Sequence, residues 1–292
     1  MSLLITGGSG FIGRNLKEQL APEFEILAPT HGELELLDED AVSRFFRDHR
    51  INVVIHSAIK PGHRAAQDPT NLVFNNTRMF FNLMRNAERF DKLIFLSSGA
   101  VYDMRYYRPK MKEDYFDVHV PADETGFSKY ICAKYAALSD KVIELRPFGV
   151  FGQYENWQIR FVSNMICKAL FGLPLTMHQN RRFDYVYIDD LIAIVRYFIL
   201  NEPKHNVYNV TPDNAVELMA LAQRVIEVSG KALEVRAAQD GMGLEYSGDN
   251  SRLRGEIPHL IFTSHAKAIR ELYAWYETNR HAVNRECLLT AK

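Results

Sequence analysis

The sequence predicts an α/β fold: a Rossmann-type doubly wound parallel sheet carrying a smaller C-terminal substrate lobe. Two observations lead there. Short, near-continuous apolar runs alternate with longer amphipathic ones through the first half of the chain, and a glycine-rich turn follows the first run. Apolar strands without polar alternation belong to a sheet covered on both faces, and their right-handed crossovers wind it in both directions.

In order, the strand-like runs are residues 3–6, 24–28, 52–57, 92–97 and 141–146. The helical patterns between them cover 12–20, 39–49, 72–90 and 128–139. After Arg146 the alternation stops, and a mixed stretch leads to Arg182. A helix over 189–200 and a strand over 206–210 that returns to the sheet follow. The tail shows two helical patterns, 215–229 and 264–280, around an irregular region rich in glycine and charge. The expected division is 1–149 with 183–210 for a dinucleotide, and 150–182 with 211–292 for the substrate lobe. That lobe lies over the carboxyl edge of the sheet, where open α/β sheets bind ligands.

Bulk properties narrow the function classes. The 292 residues suit one large domain or two fused ones. Hydrophobic residues make up 47% and charged residues 24%, and the net charge is −1. No basic surface for nucleic acid and no basic amphipathic stretch for a membrane are expected. No apolar run reaches membrane-spanning length, and the first residues lack the pattern of a signal peptide. The three cysteines, Cys132, Cys167 and Cys287, form no CxxC pair and have no histidines at metal spacing. They read as reduced thiols of a cytoplasmic protein with no metal site.

Gly7, Gly10 and Gly13 fall between the first strand and the first helix in LLITGGSGFIGRNL. A tight turn there brings backbone close to a pyrophosphate, and the helix N-terminus offers free N–H groups and a positive dipole end. A bound dinucleotide is therefore expected.

The motifs that follow resemble those of the extended short-chain dehydrogenase/reductase family, whose members act on nucleotide sugars with NAD or NADP. TGGSGFIG has the family's glycine spacing, and VVIHSA at 53–58 resembles its fourth-strand segment. FNNT with NLM places Asn76 in the family's asparagine position. FLSSGAVYD resembles the active-site strand, which puts Ser98 in the catalytic hydroxyl position and Tyr102 in the VY pair. ELRPFGVFG resembles the segment along the nicotinamide, RRFDYVYIDDL puts Arg181 in the phosphate-binding arginine position, and YNVT and IRELYAWYETN are also similar. The resemblance spans essentially the whole chain. It implies cofactor contacts from Gly7, Gly10, Phe11, Ile12, Gly13, Glu35, Leu36, Ser57, Ala58, Ile59, Asn76, Lys129, Pro147, Phe148 and Val150. It implies substrate contacts from Ser98, Gly99, Gly149 and Arg181, and pairing of the 72–90 and 128–139 helices in a homodimer.

One position departs from the family. Its chemistry uses a phenol to exchange a proton with a sugar oxygen, with a lysine four residues beyond that tyrosine. In PADETGFSKYICAKYAA, Lys129 occupies the lysine position but Thr125 stands in place of the tyrosine. A threonine hydroxyl is far too weak an acid to replace a phenol. Tyr130 and Lys134 repeat the spacing one turn later but discard the GFSK match. Three explanations stay open: a substitution particular to this chain, another acid such as Tyr130 or a substrate-bound water, or lost catalysis.

Gly99 and Ala100 replace the acidic pair of the family's 4,6-dehydratases, and Ala100 replaces the cysteine of its epimerase–reductases. A 4-keto reduction or a 4-epimerisation remains, with a likeness to the GDP-fucose synthase and dTDP-4-dehydrorhamnose reductase branches. The second strand ends Ala28–Pro29–Thr30–His31 without the carboxylate of NAD-specific members, and only Arg14 lies near enough to meet an NADP phosphate. NAD and NADP both stay open. The rival expectation is a catalytically silent dinucleotide binder.

Overall fold

The computed structural model describes residues 1–62 and 66–290. Its first half alternates β1 (Ser2–Thr6), α1 (Phe11–Leu20), β2 (Glu25–Leu27), α2 (Glu39–Asp48), β3 (Val53–His56), α3 (Leu72–Met84), β4 (Lys92–Leu96), α4 (Glu124–Ala136) and β5 (Val142–Pro147). The chain continues through β6 (Val150–Phe151), α5 (Phe161–Leu170), β7 (Leu175–Asn180), β8 (Arg182–Phe183), β9 (Val186–Tyr187), α6 (Ile188–Leu200) and β10 (Val207–Val210). It ends with β11 (Val216–Glu217), α7 (Leu218–Ser229), β12 (Val235–Met242), α8 (Ser251–Glu256), α9 (His265–Thr278) and α10 (Arg285–Thr290).

Six parallel strands form the central sheet in the order β10-β5-β4-β3-β1-β2. The chain moves outward from β1 to β2, then returns to lay β3 on the other side of β1. The switch point therefore lies between the carboxyl ends of β1 and β3, where a ligand crevice forms. Leu3 and Ile5 face one buried layer and Leu4 the other, as period-two side chains on a doubly covered sheet must. One layer joins α2, α3 and α4 to the sheet through Phe46, Phe80 and Leu83. The other runs without a break from α1 and α6 into α5, α7 and α9. The C-terminal lobe thus shares its core with one face of the sheet.

Several boundaries differ from expectation for physical reasons. The 72–90 helix ends at Met84, because Asn82 and Asn86 turn their amides onto backbone carbonyls and a 3₁₀ turn, Ala87–Arg89, takes over. The helix expected from 128 begins one turn earlier, at Glu124, where the Asp123 carboxylate accepts the Gly126 N–H at 2.8 Å. Helix α5 lies inside the stretch that reads as mixed. Every residue from Val162 to Leu170 is buried, so it carries no amphipathic period. β12 pairs in parallel with β7 inside the region that reads as irregular.

Candidate functional site

A cavity of about 610 Å3 opens at the switch point. Gly7 sits at φ +73°, and a Cβ there would be 2.8 Å from the Ala58 backbone. A Cβ on Gly13 would overlap the Gly7 carbonyl, so α1 can pack against the turn only with glycine there. Gly10 differs. It caps α1 and borders the cavity, yet an added Cβ would meet only the Gly7 carbonyl oxygen, at 3.3 Å. Packing at position 10 is far less demanding than at Gly7 or Gly13, and the residue faces the cavity.

The opposite wall is latched to this turn. The Ser57 hydroxyl donates to the Thr6 carbonyl at 2.6 Å, and the Ala58 N–H donates to the Thr6 hydroxyl at 3.3 Å. His56 lies 2.8 Å from that hydroxyl through Nδ1, and burial pushes its pKa down to about 3, so the ring is neutral. Gly7, Gly10, Phe11, Ile12, Gly13, Glu35, Leu36, Ser57, Ala58 and Ile59 all line the cavity. Lys60 and Arg160 line it as well and escaped the sequence reading. Neither belongs to a motif, and Arg160 arrives from the segment before α5.

The remaining expected cofactor residues lie elsewhere. The Asn76 side chain accepts the Lys60 N–H at 2.7 Å and donates to the Lys60 carbonyl at 3.3 Å, so it shapes the loop after β3. Lys129 donates to the Leu96 carbonyl at 3.2 Å, and burial lowers its pKa to about 8. Pro147 pairs with Val210 and Val150 with Val186. Phe148 turns into an aromatic cluster with Tyr102, Tyr107 and Tyr246. Arg14 pairs with Glu18 at 3.0 Å and stacks on Tyr154. The end of β2 does gain a carboxylate, because Glu33 folds back to accept the Thr30 N–H at 2.7 Å.

At the carboxyl end of β4, Ser98 caps a short turn, its hydroxyl accepting the Ala100 N–H at 3.0 Å. The first turn of α4 packs on it, since a Cβ on Gly126 would be 2.6 Å from the Ala100 carbonyl oxygen. Ser98, Thr125 and Lys129 therefore gather around one strand end. Tyr130 and Lys134 do not join them. Tyr130 donates to one oxygen of Asp117 and Lys134 reaches the other at 2.6 Å, which lifts the Tyr130 phenol to about 12. Tyr102 is buried, donating to Asn209 and accepting from Arg146, whose guanidinium forms two bonds to Glu144. Aromatic rings cover the expected substrate glycines: Phe183 lies over Gly149, and Phe148 over Gly99. Arg181 stands between β7 and β8, its carbonyl accepting the Leu218 N–H at 3.1 Å.

Residues 3–211 match the model of the NAD dependent epimerase/dehydratase family. The chain belongs to that family. Within it, the chain is 30% identical over 228 residues to GDP-L-colitose synthase of Yersinia pseudotuberculosis, covering 70% of this chain and 74% of that protein. Its fold resembles that of a GDP-mannoheptose C4 reductase from Campylobacter jejuni with NADP bound, at TM-score 0.82 and 20% identity, over 94% of this chain and 98% of the other. It also resembles UDP-glucose 4-epimerase of Thermus thermophilus in complex with NAD, at TM-score 0.77 and 24% identity, over 97% and 100%. The epimerase/dehydratase segment ends just past β10, so it includes the sheet, the cavity and the Ser98 turn. Among the described residues no cluster of metal ligands occurs, and no helix is long and apolar enough to cross a membrane.

Proposed function

We propose that this chain is an NAD(P)-dependent oxidoreductase or epimerase that moves a hydride at C4 of a nucleotide-activated deoxysugar. The observation that carries this reading is Gly10, where packing demands glycine least, on a cavity built by the β1 turn and latched to Ser57 and Ala58. A dinucleotide fits that cradle. The α1 N-terminus would hold its pyrophosphate, Glu35 and Leu36 would flank its adenine, and the Ser98 turn would serve its nicotinamide end. When bound, the nicotinamide supplies or accepts the hydride. Residues 1–149 with 183–210 hold the dinucleotide, and 150–182 with 211–292 hold the sugar nucleotide, with Arg181 toward its phosphates. The likeness to a C4 reductase and a 4-epimerase supports C4 as the reacting carbon. The chain works in the cytoplasm, where the buried, free Cys132 and Cys167 stay reduced.

Thr125 favours a second reading, a dinucleotide binder without turnover, because no phenol stands at that position. One experiment separates the two: thermal shift with NAD, NADP and their reduced forms, followed by turnover of GDP- and dTDP-linked 4-keto-6-deoxyhexoses. A dinucleotide at one hundred times its dissociation constant adds about 2.7 kcal/mol of stability. Binding with turnover supports the enzyme, binding without turnover the silent binder, and no thermal shift sinks both.

A further inference from the structure

Two phenols that the family motifs do not use stand over the Ser98 turn. Tyr107 follows the 3₁₀ turn Met104–Tyr106 and donates its hydroxyl proton to the carbonyl of Gly99, the residue after Ser98. Tyr246 arrives from the C-terminal lobe. Its N–H donates to the Arg182 carbonyl, and its carbonyl accepts the Asp184 N–H, each at 3.0 Å, which fixes its backbone beside β8. Its ring lies 4.8 Å from that of Tyr107 and 4.9 Å from that of Phe148. Its hydroxyl comes so close over Gly99 that a Cβ there would be 2.8 Å away. Both residues are only half-buried.

Resting on the function proposed above, we propose that Tyr246, held over Gly99 beside Tyr107, which holds the Gly99 carbonyl, is the proton donor with which this site reduces a keto sugar. The carbonyl carbon takes two electrons as hydride from the reduced dinucleotide, and its C=O π bond breaks. The Tyr246 O–H bond breaks as the new sugar O–H bond forms. Water returns the proton to the resulting phenolate.

Burial raises Tyr246 to about 12, so at neutral pH it holds its proton, and an alkoxide forming in reduction is more basic than a phenolate and takes it.

The test uses the full chain and its Tyr246→Phe and Tyr107→Phe variants, with GDP- and dTDP-linked 4-keto-6-deoxyhexoses and reduced dinucleotide. Tyr246→Phe is expected to lower kcat by about 10²–10⁴-fold with dinucleotide affinity and melting temperature unchanged, and Tyr107→Phe by about tenfold. The Tyr246 ring, followed by NMR of ¹³C-labelled tyrosine, is expected to remain a phenol up to about pH 9. Reduction that survives Tyr246→Phe within about threefold overturns this assignment and leaves the proposed function standing. Ionisation of Tyr246 below that pH also overturns it. Dinucleotide binding with no reduction and no epimerisation overturns both.

Discussion

Glycines at positions 10 and 13 serve different ends, and substitution tells them apart. Gly13→Ala forces a Cβ into the Gly7 carbonyl and is expected to cost on the order of 1–3 kcal/mol as overpacking, or more if the turn cannot shift. Gly10→Val is expected to leave melting of the unliganded chain nearly unchanged while abolishing its stabilisation by dinucleotide. Paired melting curves with and without NADP check both. Asp184 supplies a pH-dependent case. Its Oδ2 accepts the Gly248 N–H at 2.8 Å, its Oδ1 has no partner among the described residues, and burial raises its pKa to about 7. The folded state thus holds this proton more tightly than the unfolded chain. The associated stability is full below the ordinary carboxylate pKa and is lost as pH rises toward 7. Asp184→Asn is expected to gain stability over the wild type from about pH 4 upward and to level off above pH 7. Urea unfolding as a function of pH measures it, and a difference independent of pH contradicts it. Residue roles were legible where a motif dictates backbone shape, as at Gly7 and Gly13. They were not legible where a side chain chooses a partner from a distant segment: nothing in the local pattern sends Lys129 to Leu96, Asn76 to Lys60 or Tyr246 to Gly99.

Elements announce themselves when one face is apolar and the other wet. Helix α2 shows this, with Val42 and Phe46 inward and a double cap on Asp38. The all-round burial of α5 hid it, and Gly126 disguised the start of α4, whose signal is the capping Asp123. Helices α3 and α4 pack on each other through Phe80, Phe81 and Tyr135 in edge-to-face contacts. Among the apolar side chains of these helices, Phe80 is buried, Met79 lines the cavity and Tyr130 faces Asp117. Phe74 on α3 stays 60% exposed, Tyr135 on α4 39%, and Leu138, just beyond α4, 89%. We propose that Phe74 and Leu138, the more exposed, meet a second copy. Light scattering is expected to give a dimer mass for the wild type and a monomer mass for the Phe74→Glu, Leu138→Glu double variant. A monomeric wild type refutes the pairing.

For the molecule as a whole, the order of strands was legible because strand–helix alternation and right-handed crossovers permit few arrangements. How the tail joins the rest was not, since core sharing is a matter of contact and not of pattern. Ile188 and Phe198 of α6 share one apolar layer with Leu221 of α7 and Ile269 of α9. A chain cut after Val210 would leave that layer bare, so it is expected to be insoluble or to lack a cooperative melting transition. A soluble, cooperatively melting 1–210 fragment would show that the lobe is separable. The contact between Thr125 and the loop after β3 carries a longer consequence. A Cβ on Gly62 would be 2.6 Å from the Thr125 hydroxyl, with Leu72 pressing from the other side. A larger side chain at 125 would press on that loop, so a phenol can be housed at this position only if the loop gives way with it.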